Sequence, residues 1–382
     1  MKLLVGGDLC PIRRNEDLFA DARIDEIWGG FLPIVEEADF FVANLECPFI
    51  DRGEPISKTG PALKARSECI RGLRASGLSA VGLANNHIMD YGVAGLRNTL
   101  ELCNSAGIQT FGAGLSRERA SQPLILQKGG VKVAILAVAE REFSVTLPEN
   151  PGANPIALPG LTDAIRELSG SVDAVVTLVH GGLGGFRLPS PRLQWLCRSL
   201  AHAGCDVVIC QHSHVVGCSE TFEDRFILYG QGNLLFDLSA DDLDPWNTGV
   251  FTRIEVGGSR KEHRVEVLPF IQSGRRPGLS DLTPAEEEAF WCGFSERSEL
   301  VSDPTRVALE WKNWVLSRER DYLGALFFPS GRLARWLRKT PLHHLVFRPE
   351  RKQLLLNLLR CESHREAMEV LLSGEPGDPT VW

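Results

Sequence analysis

"LANNHIMDYG" (residues 83–92) ends a short β-rich run with two asparagines and a histidine, then turns at Tyr91-Gly92 into a helical pattern. None of these three polar side chains is cheaply buried. Such a strand end is either an unusually rich turn or the edge of a site that needs amide oxygen and imidazole together. The rest of the chain bears on the choice, because the same arrangement recurs. Asp8 follows "LLVGG", Asn44 and Glu46 follow "FFVA", His180 follows "VVTLV", and His212 and His214 follow "VVICQ". Five apolar runs therefore end in groups able to bind a metal.

Between these runs lie amphipathic segments, "SECIRGLRAS", "VAGLRNTLELCNSAG", "LTDAIRELSG" and "PRLQWLCRSLAHAG", with apolar residues at three- and four-residue steps and a glycine inside or near the end. Strand and helix in alternation indicate an α/β protein. Two stretches read instead as antiparallel hairpins. "PLILQKGGVKVAILAVAE" folds back at Gly129-Gly130 and "GVFTRIEVGGSRKEHRVEVLPF" turns around Gly257-Gly258, so the sheets are expected to be mixed. In open α/β sheets ligands bind beyond the carboxyl ends of the strands, so polar groups distant in sequence are expected to converge there.

A chain of 382 residues, 43% hydrophobic and 24% charged, can bury one large core and a second small one. Its formal charge of −8 argues against a general polyanion binder such as a nucleic-acid protein, which neutralises phosphates with many Lys and Arg. A small charged substrate stays open. The ten cysteines form no C-x-x-C pair and mostly sit inside apolar runs, as a set of reduced thiols would. "MKLLVGGDLC" is too short in apolar residues for a signal-peptide core, and no segment reaches the roughly 18 apolar residues of a membrane span. A cytoplasmic protein without a transmembrane segment is the expectation.

The main domain is expected over 1–272 and a helical extension over 280–382, where the composition turns rich in Trp, Leu and Arg. Arg332, Arg335, Arg338 and Lys339 there alternate with Leu333, Trp336 and Leu337. That pattern suits docking on an acidic protein partner or membrane surface, or a plain amphipathic helix with its arginines in water.

Carboxylate, imidazole and amide oxygen together, without a thiolate motif, suit Mn, Fe or Zn. About six ligands would oversupply one ion and serve two divalent ions that share a carboxylate. In "HSH", residues two apart on an extended segment would point the same way and grip adjacent sites. Each group alone has a structural reading: Asp8 as a turn or cap residue, a strand-end histidine as a hydrogen-bonded core residue. It is their recurrence in one order that points to a metal site.

That order, "GD", "NLE", "ANNHIMDYG", "VHGG", "QHSHV" and "LYGQGNLLFD", resembles the capsule-synthesis CapA, or poly-γ-glutamate biosynthesis, family, related to the calcineurin-like metallophosphoesterases. "PISKTGPALKA" resembles that family's lysine-containing stretch. The resemblance spans roughly residues 1–240. It implies a four-layered α/β/β/α sandwich with a two-metal site at one edge. Asp8 and His214 would hold one ion, Asn86, His180 and His212 the other, and Glu46 would bridge them. His87 would stay off the metals as general acid. Asp90 has two roles open to it, orienting His87 or capping the next helix. Asn44 and Lys58 would face the substrate, although a surface role suits Lys58 equally.

Two departures stand out. Cys10 occupies the place of a histidine in the Asp-x-His of the broader phosphoesterases, and Gly184 stands where the family often has the glutamate of His-x-Gly-x-Glu. The expected function is a metal-dependent hydrolase, a phosphoesterase acting on a small phosphorylated or polyanionic substrate in polymer metabolism. The alternatives are a non-catalytic accessory protein of a polymer-synthesis complex and a hydrolase of γ-glutamyl amides.

Overall fold

The computed structural model describes residues 1–319 apart from 59, 146–149, 239–244 and 259–261, together with 322, 352, 355, 356 and 359. Two compact units are present, Met1–Val307 and Ala308–Trp382. The fold and site below belong to the first. The basic stretch from Arg332 to Lys339 lies outside the described residues.

Two sheets form the centre. The eight-stranded sheet runs in the order Leu279–Ser280, Arg264–Gln272, Thr248–Glu255, Lys2–Cys10, Phe40–Leu45, Leu78–Gly82, Gln109–Phe111, with Asn233–Phe236 paired in parallel to Lys2–Cys10. The six-stranded sheet runs Val216–Phe222, Arg225–Gln231, Val207–Gln211, Ala174–His180, Val131–Ala139, Leu124–Lys128. Both are mixed. The central strands are parallel, and the two hairpins expected from sequence form antiparallel pairs, Leu124–Lys128 with Val131–Ala139 and Thr248–Glu255 with Arg264–Gln272. Gly129 and Gly130 both take positive φ (59° and 83°), which a tight two-residue hairpin turn demands and glycine supplies without steric cost.

Alternation along the strands shows how the layers stack. In Ala174–His180, Ala174, Val176 and Leu178 join the core that lies between the sheets, whereas Val175 and Val179 join a second core on the other face. Val131–Ala139 and Val207–Gln211 divide the same way. This is the period-two consequence of a strand buried on both faces. The second core is completed by Leu161 and Ile165 of the helix Leu158–Ser169 and by Leu193, Leu196 and Leu200 of Pro191–His202. On the far side of the larger sheet, Trp28 and Phe31 from the early helical turns meet Phe41, Phe251 and Phe270, with ring centroids 4.8–6.4 Å apart in tilted or edge-on contacts. The result is a four-layered α/β/β/α sandwich.

Two buried glutamines tie sheet to sheet. Gln211 Nε2 donates to Gly6 O (3.2 Å) and to Gln231 Oε1 (3.0 Å), and Gln231 Nε2 donates to Val5 O (2.8 Å). The strand ends carrying Asp8 and His212 are thereby fixed to each other.

The change of composition near residue 280 is not the edge of the compact unit. The helix Pro284–Val301 is built into it: Arg297 Nε donates to Gly217 O (2.8 Å), Ser298 Oγ accepts from Ser219 N (3.0 Å), and Val301 O accepts from Gln194 Nε2 (2.7 Å). Its surface is rich in Glu, so composition alone separates it from a unit that its contacts make it part of.

Replacing Trp28 by Ala is expected to lower unfolding free energy by about 3–5 kcal/mol, since a fully buried aromatic is removed from a site walled by other rings. Urea denaturation monitored by far-UV circular dichroism checks this; a loss below about 1 kcal/mol would mean that this face is not tightly packed.

Candidate metal centre

The first strand bulges between Gly6 and Asp8 where it runs beside Phe40–Leu45, and beyond the bulge Asp8 stands opposite both Asn44 and Asn233. A bulge re-aims the side chain that follows it. Asp8 is fully buried; its Oδ1 accepts from Asn44 Nδ2 (2.8 Å) and its Oδ2 from the His212 backbone N–H (3.0 Å). Asn44 is itself held by Asn85, whose Nδ2 donates to Asn44 Oδ1 (3.0 Å) and Leu45 O (2.8 Å). The Oδ1 of Asn85 accepts from the N–H groups of His87 and Ile88 (3.1 and 2.9 Å). Asn85 therefore shapes the turn and joins it to the neighbouring strand, a buried structural role.

Around His180 Nε2 the donor atoms crowd: Asn86 Oδ1 at 3.0 Å, His212 Nδ1 at 3.1 Å and Glu46 Oε1 at 3.4 Å. Ligands held at 2.0–2.1 Å from one ion and at right angles to each other lie about 3 Å apart, so this spacing fits a shared cation. On the other side, His214 Nδ1 lies 3.5 Å from Asp8 Oδ2 and His214 Nε2 3.8 Å from Glu46 Oε1. Two donor groups emerge, Glu46-His180-His212 and Asp8-Glu46-His214, each with its ligand atoms within 4.8 Å of one another. Glu46 belongs to both.

The histidine pair is not on an extended segment, contrary to the expectation from "HSH". The strand stops at Gln211, and His212 and His214 both adopt left-handed backbone conformations (φ 85° and 56°). The two rings still reach adjacent places, but a strained loop puts them there rather than strand periodicity. Non-glycine residues held at positive φ are costly and concentrate at functional sites.

Electrostatics make the cluster incomplete. Neither oxygen of Glu46 has a hydrogen-bond partner, although the residue has no exposed surface. Burial, and then the charge of Asp8, push its carboxyl up to about 8, against the opposing pull of His214 and His87. Burial holds His180 below the ordinary histidine value, with Asp8 and Glu142 opposing it. His212 lies well below, through burial and then the neighbouring His180, His214 and His87. At neutral pH both imidazoles are thus free of an extra proton, while Glu46 holds one unless a cation takes its place. Neutral imidazoles beside an unpartnered buried carboxylate are what a divalent metal ion requires.

The turn after Asn86 carries a second assembly. His87 Nδ1 lies 2.6 Å from Asp90 Oδ2, and Lys58 Nζ lies 2.5 Å from Asp90 Oδ1 and 3.2 Å from His87 Nδ1. Asp90 Oδ2 also accepts from Leu63 N (2.7 Å). Asp90 therefore orients His87 and caps no helix; the residue before Gly92–Ala106 is Tyr91, whose side chain makes no capping bond. Lys58 is no surface lysine, with only 4% of its side chain exposed and its charge paired to Asp90. Because the carboxylate only accepts, His87 Nδ1 carries the hydrogen and Nε2 is the nitrogen left for other work.

Other expectations resolve in the same geometry. Asn44 holds Asp8 and also reaches His180 Nδ1 (3.3 Å), so its side chain is occupied within the protein. Cys10 is buried, burial pushes its thiol well up, and it belongs to neither donor group. Gly184 is exposed with open space around it. Glu142 sits closer in: its Oε2 accepts from Asn86 Nδ2 (2.9 Å), which turns the Asn86 carbonyl oxygen toward His180, and its Oε1 is 3.7 Å from His212 Nε2. Glu142 follows the apolar run Val131–Ala139, so the strand-end rule that found the others extends to it. Asn233, inside "LYGQGNLLFD", accepts from His214 Nδ1 (2.9 Å) and fixes that ring, with Trp246 in tilted contact at 4.3 Å.

A two-sheet α/β sandwich whose strand ends gather Asp, Glu, Asn and His into adjoining cation-ready groups defines the class. The family model for the bacterial capsule synthesis protein PGA_cap matches residues 2–238, and the chain belongs to that family. Capsule biosynthesis protein CapA of Bacillus anthracis is 26% identical over 240 residues, 60% of this chain and 58% of that one. PGA biosynthesis protein CapA of Bacillus subtilis (strain 168) is 28% identical over 236 residues, covering 60% and 62%. A "Probable polyglutamine synthesis accessory protein" of Mycobacterium tuberculosis is 27% identical over 226 residues, covering 55% and 59%. The match thus spans about three-fifths of the length of these curated relatives. Among solved structures, the calcineurin-like phosphoesterase YfkN of Bacillus subtilis is 12% identical with a TM-score of 0.43, covering 82% of this chain and 98% of that one. A 5'-nucleotidase precursor of Thermus thermophilus is 14% identical with a TM-score of 0.41, covering 83% and 59%. Likenesses of that strength bear on no residue's role. Among the described residues no helix is long and apolar enough to cross a membrane.

Glu46 makes the metal-free protein pH-sensitive with a definite sign. Its carboxyl titrates near 8 when folded and near 4.5 when unfolded, so the folded state holds a proton that the unfolded state has released between those values. This contribution is intact below about pH 4.5 and is lost as pH rises toward 8, at up to about 1.4 kcal/mol per unit. In EDTA, urea midpoints of the wild type should fall relative to Glu46→Gln between pH 5 and pH 8; parallel profiles would mean that Glu46 is solvated in the free protein.

Proposed function

We propose that this chain is a metal-dependent hydrolase, a phosphoesterase that acts on a small phosphorylated or polyanionic substrate in capsule or poly-γ-glutamate type polymer metabolism. The single observation that supports it most is the unpartnered, buried Glu46 shared by the two donor groups. In this reading Asp8 and His214 would hold one divalent ion, Mn, Fe or Zn, Asn86, His180 and His212 would hold another, and Glu46 would serve both. Bound there, they would supply Lewis acidity toward a phosphoryl oxygen and a water acidified toward neutral pH.

The chain's own residues do the rest. Asn44 and the His212 N–H fix both oxygens of Asp8. Asn233 sets the ring of His214, and Glu142 sets the amide of Asn86. His87, when it carries a proton on each nitrogen, gives the one on Nε2 to the departing alkoxide while Nδ1–H stays anchored on Asp90, and takes a proton back from solvent. Lys58 holds Asp90 in place through their ion pair. In this role it acts on the substrate through His87 and not by direct contact.

A second reading, an accessory protein that binds metal and turns nothing over, is favoured by Gly184, which leaves open space where the resembling pattern carries a glutamate.

Elemental analysis of the purified protein, combined with turnover of aryl phosphate mono- and diesters and of γ-glutamyl peptides in added Mn, Fe or Zn, separates these readings. The expected result is divalent metal in stoichiometric amount and phosphoester turnover. Glu46→Gln should lose metal, whereas His87→Ala should keep it and lose about 10²–10⁴-fold in rate. Metal without turnover of either substrate class supports the accessory reading, γ-glutamyl turnover alone the amide-hydrolase one, and protein without metal overturns all of them.

A further inference from the structure

A cavity of about 210 Å³ opens beside the helix Pro284–Val301, outside the donor groups described above. Two arginines, Arg187 and Arg297, line it together with Thr248, Phe290 and Val216. The side chain of Arg297 and the backbone of Arg187 both meet Gly217. Arg297 Nε donates to Gly217 O (2.8 Å), and Gly217 packs so closely that a Cβ there would lie 2.9 Å from the Arg187 carbonyl oxygen and 1.6 Å from that of Tyr229. Gly217 follows His214 by three residues, and Thr248 follows Trp246, the ring tilted against His214, by two. The cavity therefore adjoins the metal-centre loop.

Its charge is one-sided. No ion pair or hydrogen bond of the Arg187 side chain is found among the described residues, and Arg297 meets only a neutral carbonyl. The one acidic residue lining the cavity, Glu286, is engaged elsewhere: its Oε2 accepts from Thr283 N and Thr283 Oγ1, both at 2.7 Å, and caps its own helix. Burial holds both guanidinium groups below the ordinary arginine value, and for Arg297 the nearby Arg187 adds to it. Two half-buried guanidinium groups, neither in an ion pair among the described residues, are unfavourable in the free protein and become favourable when an oxyanion enters the cavity they both line, since guanidinium groups match carboxylate and phosphate in bidentate geometry. Phe290 and Val216 give the cavity an apolar wall, so it suits an anionic group on a short organic body.

We propose that Arg187 and Arg297 form an anion-binding subsite for a carboxylate- or phosphate-bearing small ligand, or for one such unit of a longer chain. Its volume is below the roughly 300–1,000 Å³ of drug-sized pockets, which limits the occupant to a few heavy atoms beyond the anionic group.

The test uses the full chain and two probes, inorganic phosphate and glutarate, followed by isothermal titration calorimetry and thermal unfolding. The wild type should bind at least one probe saturably and gain thermal stability from it. Arg187→Ala should bind at least tenfold more weakly, yet unfold at the same or a higher temperature without anion, because it removes a desolvated charge and no bond. Arg297→Lys, which keeps the charge, should lose less than Arg297→Ala. Tighter phosphate points to a phosphoryl ligand and tighter glutarate to a carboxylate one. Binding confined to the metal centre would leave Arg187→Ala at wild-type affinity; that result, or no binding of either probe to the wild type, overturns the proposal.

Discussion

A carboxyl group with no exposed surface and no hydrogen-bond partner is among the costliest features a fold can hold, and Glu46 is one. The rest of the site is organised around that cost. Asp8 increases it by adding a second acid nearby; His214 and His87 reduce it without supplying a bond. Nothing else among the described residues is placed to satisfy both oxygens. A protein that needed only stability would gain by replacing Glu46 with an apolar residue of similar volume. Keeping it there is intelligible when a cation completes the group.

Holding such a cluster open requires neighbours that cannot collapse onto it. Asparagines do this work. Asn44, Asn85, Asn86 and Asn233 each use both ends of the amide within the protein, linking an acid, a backbone segment or an imidazole to the next element. An amide can donate and accept at once without carrying charge, so it fixes a ligand's direction without altering the charge that the ion would meet. Beneath them the glutamine pair Gln211 and Gln231 bolts one sheet to the other, and the left-handed turns at His212 and His214 are held between these fixed points.

The sequence carried most of this because of one rule of parallel sheets. Strands that run the same way bring their carboxyl ends to one edge, so Asp8, Glu46, Asn86, His180, His212 and His214 could be placed together from the apolar runs before each of them. The hairpins at Gly129-Gly130 and Gly257-Gly258 were legible for a similarly local reason, a glycine pair between two β-rich runs. What stayed hidden depends on contacts between segments. Lys58 sits in a Gly- and Pro-rich loop, where a lysine ordinarily points to water, and only the approach of that loop to the 83–92 turn buries it against Asp90. The strained backbone of His212 and His214 has no signal in the residues themselves. The helix Pro284–Val301 looked like an appendage because its composition is polar, while the three hydrogen bonds that build it into the first unit involve Gly217, Ser219 and Gln194, far from it in sequence.

Two regions of this chain share one physical character. At the metal centre a carboxyl group is buried without a hydrogen-bond partner among the described residues, and at the Arg187–Arg297 cavity two guanidinium groups are half-buried without an ion pair among them. Each lowers the stability of the free protein, and each has the opposite sign from the other. Close enough to neutralise one another, they would have formed ion pairs, since pairing is the cheapest fate for desolvated charge. Instead Glu46 belongs to both donor groups, whereas Arg297 is tied to the Gly217 carbonyl.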